Sequence, residues 1–99
     1  MSKARLVRIY LMEAGDHLHA LLEKLRSQET LRGVTVFRGI AGFGDSGKLH
    51  AASLVDLSLE LPVVVEFFDT PQRVEQILAH LADDLPAGHV ISWDVELND

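Results

Sequence analysis

The sequence contains no cysteine, which excludes disulfides, thiolate zinc sites, iron–sulfur clusters and cysteine nucleophiles together. It is poor in aromatics, with one tryptophan, one tyrosine and four phenylalanines, and carries only three prolines. No apolar run approaches the roughly 18 residues of a membrane-spanning helix. The opening residues, Met-Ser-Lys-Ala-Arg, lead into a short strand-like stretch without a cleavage-type signal, so a cytoplasmic location is expected. Positive charge is scarce in one half of the chain. Residues 49–99 hold one base, Arg73, against ten acids, whereas residues 1–48 hold eight bases and five acids. The net charge of −6 speaks against nucleic acid as a partner. The imbalance is expected to cancel by packing the two halves side by side.

What is present is the pattern of one small globular domain over residues 1–99, 47% hydrophobic and 24% charged. Residues 5–12 are rich in β-formers, with Val7, Ile9 and Leu11 on one face. Asp16 is positioned to cap a helix whose apolar stripe is Leu18, Leu21, Leu22 and Leu25. Residues 34–40 read as a second strand and residues 62–69 as a third, the latter apolar on both faces except at Glu66. Thr70-Pro71 opens a second helix, with Thr70 as cap and Pro71 at the first helical position, and Val74, Ile77, Leu78 and Leu81 form its stripe. Residues 90–97 close the pattern with Ile91, Trp93, Val95 and Leu97 on one face. The order β-α-β-β-α-β predicts an α+β, ferredoxin-like sandwich: a four-stranded antiparallel sheet with both helices on one face. Two helices cover only one face, so one apolar side of residues 63–68 is expected to bury itself against other copies of the chain.

Residues 42–47 spell G-x-G-x-x-G and residues 42–49 come within one residue of a P-loop, with leucine where magnesium chemistry needs serine or threonine. Both motifs need a parallel sheet that so short a chain does not build. An RNA-recognition motif fails on aromatic placement and charge sign. An acylphosphatase-like site fails because the first turn, Glu13-Ala-Gly-Asp16, is acidic and the only asparagine is Asn98. Ser46, Ser53 and Ser58 have no His–Asp arrangement nearby, and no acid–base pair assembles, so no catalytic residue is assigned and the chain is read as a non-enzyme. His17 and His19 point to different helix faces, and His80 and His89 lack carboxylates at ligand spacing, so no metal or cofactor is assigned either.

The candidate ligand-binding residues are Arg38, Gly42, Phe43, Gly44, Lys48, His50 and Glu66. Gly42 and Gly44 serve either a bend with positive φ or an anion-binding nest of bare N–H groups. Phe43 is either a core plug or a stacking surface. Arg38, in an otherwise apolar strand, suits an anion or a carboxylate, and Lys48 and His50 stand on the far side of the glycine loop. Glu66 needs a partner in its apolar strand, and a salt bridge to Arg38 is the expected solution.

The run Gly33-Val-Thr-Val-Phe-Arg-Gly-Ile-Ala-Gly-Phe-Gly44, with Gly47, Lys48, His50, Leu57-Ser58 and Leu61-Pro-Val-Val-Val-Glu66, resembles the PII-like family called domain of unknown function 190. That family is related to the PII signalling proteins. The resemblance implies a ferredoxin-like subunit in a homotrimer, with small-molecule sites in the clefts between subunits. The implied function is signalling or adaptation: a small anionic ligand, a nucleotide among the candidates, binds there and switches residues 42–60. Residues 45–60 are expected to be the most mobile internal segment until the ligand binds. The alternative is a ligand-independent interaction module that regulates a membrane transporter, since family members are often encoded beside fluoride-exporter-like proteins. The chain departs from ATP-binding PII proteins in the loop after the second helix, where Asp83 and Asp84 stand in place of a lysine-bearing turn.

Overall fold

In the computed structural model, which describes residues 1–13, 17–27, 31, 33–44, 47, 50–51 and 61–99, the first apolar alternation builds strand β1 (Ser2–Met12). Helix α1 (Leu18–Ser27) follows, then the short strands β2 (Thr35–Arg38), β3 (Ala41–Gly42) and β4 (His50–Ala51). Strand β5 (Pro62–Asp69), helix α2 (Pro71–His80), a 3₁₀ turn at Ala82–Asp84 and strand β6 (Val90–Leu97) complete the order. The main sheet runs β2-β5-β1-β6 with every neighbour antiparallel, which is the ferredoxin-like arrangement expected. The capping expected for Asp16 and the end of α1 at 28–30 lie outside the described residues.

Alternation decides which face is wet. The odd residues of β1 and β5 (Val7, Ile9, Leu11, Val63, Val65 and Phe67) are buried, and the stripes of α1 (Leu18, Leu21, Leu25) and α2 (Val74, Ile77) close over them. Burying Phe67 or Ile9 in this way contributes on the order of 2–3 kcal/mol each. Helix α2 starts where its capping chemistry dictates: the Thr70 hydroxyl accepts the Arg73 N–H at 3.2 Å, and Pro71 occupies the first turn without losing a hydrogen bond.

Among the described residues, no helix covers the opposite face. The register aligns Tyr10, Val64 and Phe37 across three strands, and likewise Trp93, Leu6 and Phe68. Tyr10, Phe37, Phe68, Ile91 and Trp93 remain 40–50% exposed there. The face left open is therefore the one carrying Val64 and Phe68, while Val63, Val65 and Phe67 form the core.

The acidic and basic halves interlock. Four of the six ion pairs among the described residues join residues 1–48 to residues 49–99: Lys3–Asp94, Arg5–Asp94, Arg8–Glu66 and Lys24–Asp84. The second strand is shorter than its apolar run suggested. After Arg38 the backbone turns around the Pro62 ring, and the Gly39 N–H donates to the Pro62 carbonyl at 2.7 Å. A Cβ on Gly39 would lie 2.9 Å from Pro62 Cγ and 3.2 Å from Pro62 O, and one on Gly42 would lie 3.0 Å from Cγ. The close approach is what these two glycines supply. Beyond the corner, β3 and β4 form a separate two-stranded ribbon with Gly42 opposite His50. Most of residues 45–60, including Lys48, lie outside the described residues, and so does the expectation that this segment is mobile.

Candidate functional site

Four of the candidate residues lie at the root of the β3–β4 ribbon. Arg38 ends β2, Gly42 ends β3, and Phe43 and Gly44 lead away from it. His50 joins them through the backbone ladder with Gly42. Phe43 is 73% exposed, so it is no core plug in this chain, and neighbouring Ile40 is 83% exposed. The positive φ expected at Gly42 or Gly44 is found instead at Gly47 (φ 73°), whose N–H closes a turn onto the Gly44 carbonyl at 2.9 Å. Without a left-handed residue at 42–44, the alternating backbone of an anion nest is not formed there. Among the described residues, the positive charge at this corner comes from Arg38.

Arg38 and Glu66 do not meet, which corrects the expected salt bridge. Residues directly opposite in a sheet share a face. Arg38 pairs in register with Val63 on the helix-covered side, whereas Glu66 pairs with Thr35 and Arg8 on the open side. The sheet itself separates them. Arg38 Nη2 instead donates to Glu13 Oε1 at the end of β1, where the Glu13 N–H is held by the Leu61 carbonyl at 2.9 Å. Glu13 Oε2 is buried and has no hydrogen-bond partner among the described residues.

Glu66 has its own partner on the open face. Arg8 Nε donates to Glu66 Oε1 at 2.8 Å, and the guanidinium carbon lies 5.7 Å from the Trp93 ring centroid. The hydrogen bond to Glu66, and after it one to Tyr10, hold the Arg8 pKa above its ordinary value, so this arginine is a fixed charge. Arg8 and Glu13 are the polar residues that the sequence reading passed over. Arg8 was discoverable, being the lone charge in residues 6–12 as Glu66 is in residues 62–68. Among the described residues, no group of three or more histidines, aspartates or glutamates is placed to hold a metal, and no helix is long and apolar enough to cross a membrane.

The sequence model of the DUF190 family, described as "Uncharacterized ACR", matches residues 4–97. A UPF0166 protein of Methanocaldococcus jannaschii is 32% identical over 85 residues, covering 82% of this chain and 78% of its own. Two UPF0166 proteins of Aquifex aeolicus are 32% identical over 83 residues (80% of this chain, 79% of theirs) and 36% identical over 76 residues (77% of each). Among solved structures, CPII from Thiomonas intermedia K12, bound to ADP and bicarbonate, superposes with a TM-score of 0.72 at 17% identity. The match covers 99% of this chain and 91% of that one, and it shows a shared fold.

Proposed function

The chain belongs to the DUF190 family of PII-like proteins, and from that premise we propose that it is a homotrimeric signalling or adaptor protein. In this reading a small anion, ADP or bicarbonate being the first candidates, binds in the clefts between subunits and reorders residues 42–60. The candidates come from the ligands of CPII, whose fold this chain shares. The observation that carries the reading is local: Arg38, Gly42 and Phe43 stand together at the root of the 42–60 segment, with Lys48 and His50 supplied by that segment. A cation and an exposed aromatic at the hinge of a long connection can recognise an anion or a nucleobase and report it to the connection. The uncovered sheet face supports assembly, because its five half-exposed large side chains need a cover that helices α1 and α2 do not provide.

Sedimentation velocity combined with calorimetric titration of ADP and bicarbonate tests the reading. A trimer that binds at least one of them, and loses binding on Arg38→Ala, is expected. A monomer at micromolar concentration that binds neither overturns it. The exposed Ile40 and Phe43 favour a companion reading in which the ribbon docks a protein partner, a membrane transporter being the candidate.

A further inference from the structure

Arg38 is not a free cation waiting for an anion. It donates to Glu13, and of the two side chains Arg38 is the outer one, 61% exposed against 25%. Glu13 is fixed from behind through its backbone bond to Leu61, while Arg38 is fixed at its base by the Gly39–Pro62 bond. Two backbones are thus pinned on either side of the start of β5, and the more exposed guanidinium end is the one an anion reaches first. Any anion that draws Arg38 outward must compete with Glu13, and once it does so it uncovers a carboxylate. One oxygen of that carboxylate, Oε2, already lacks a donor among the described residues. An ionised carboxylate only accepts hydrogen bonds, and a guanidinium only donates them. The pair therefore presents complementary demands: negative oxygens for Arg38 and a proton for Glu13.

We infer that Glu13 is a specificity-determining residue, and that with Arg38 it selects oxyanions carrying an acidic hydrogen over oxyanions that carry none. The inference rests on the anion-binding reading above and names its ligand class. A hydrogen-bearing oxyanion places its charged oxygens on Arg38 and donates its O–H to Glu13, so both partners of the broken ion pair are satisfied. An oxyanion without hydrogen sets its own acceptors against a carboxylate, leaving two negative groups in contact and the acceptor unpaired. Sites built to hydrogen-bond one group reject isosteres that lack it, because the site's own polar atom is then stranded.

Inorganic phosphate and sulfate are the probes. At mildly alkaline pH phosphate is mainly the hydrogen-bearing dianion, matching sulfate in charge and shape and differing by one proton. Titrations at constant ionic strength, followed through the backbone amide resonances of Gly39 and Gly42, read binding at this corner in the full chain. The wild-type protein should prefer phosphate by about tenfold, the scale of one hydrogen bond to a charged group. Glu13→Gln, which can offer an amide N–H to sulfate, should bind sulfate more tightly and bring the two anions within about twofold of each other. Arg38→Ala should lose both. An unchanged phosphate-to-sulfate ratio in a folded Glu13→Gln variant overturns the role of Glu13 and leaves anion binding standing. Absence of any shift with either anion, in wild type and variant alike, overturns anion binding at the Arg38–Glu13 corner, while the ADP and bicarbonate titrations decide the wider reading. Circular dichroism of each variant establishes that it is folded before the ratio is read.

Discussion

Replacing Val64 by aspartate separates the two faces of the sheet energetically. Val64 sits on the open face, directly opposite Tyr10 on one side and Phe37 on the other, one register step from the Arg8–Glu66 pair. In an isolated subunit an aspartate there stays hydrated, and the expected cost is about 1 kcal/mol of strand preference. In the proposed assembly the same carboxylate is buried without a cation, since Arg8 is already engaged, and the cost is roughly 3–5 kcal/mol per subunit. The five large side chains left 40–50% exposed amount to about 400–500 Å² of surface on the areas usual for such residues. Burying it yields on the order of 10 kcal/mol per subunit before the loss of freedom on association. A penalty of several kcal/mol consumes much of that margin and weakens the subunit contact by more than about a hundredfold. Sedimentation velocity should show trimeric wild type and monomeric, folded Val64→Asp. Val65→Asp is the contrast: Val65 is 0% exposed in the core, so that variant should fail to fold at all. A Val64→Asp protein that remains trimeric would refute assembly through this face.

Other expectations follow from single contacts. Thr70→Ala removes the hydroxyl that accepts the Arg73 N–H and should cost about 1 kcal/mol in urea denaturation. Gly39→Ala pushes a methyl against the Pro62 carbonyl and should lower stability by about 1–3 kcal/mol, whereas Gly44→Ala, with nothing within 4 Å of its Cβ position, should leave the melting curve nearly unchanged. Arg38→Ala should abolish anion binding but leave the Arg8–Glu66 pair intact, so the fluorescence of Trp93, the sole tryptophan, should not move. The raised Arg8 pKa implies that its bonding is fully present below the ordinary arginine value and is lost only as pH rises past the folded one. Trp93 emission should accordingly show no Arg8 titration across the neutral range, and a midpoint there that Arg8→Lys displaces would contradict the assignment.

Sequence reasoning succeeded where structure is decided within a few residues. The Thr70-Pro71 start of α2, its stripe of Val74 and Ile77 with Leu78 half-buried beside it and Leu81 buried just past its end, and the extent of β5 are all local matters of period and capping. It failed where the answer depends on how distant segments register. Whether Glu66 meets Arg38 or Arg8 turns on the offset between β2 and β5, which opposes Thr35 to Glu66 and sends Arg38 to the other face. Gly39 and Gly42 are glycines because of Pro62, some twenty residues on, and no dipeptide pattern announces such a contact. The β3–β4 ribbon is two residues a side, too short for alternation to register.

The position of β1 has a consequence for synthesis. It is an interior strand, and both its neighbours, β5 and β6, come from the last four-tenths of the chain. Its ion pairs span 58 residues to Glu66 and 89 to Asp94. Chains grow at about 5–20 residues per second, so on a ribosome this apolar segment waits for seconds before any strand can pair with it. Connections this long also make the search slow once the chain is released. Made before both of its partners, β1 is satisfied only when β5 and then β6 have emerged, and until then its apolar Leu6–Met12 run stays unpaired.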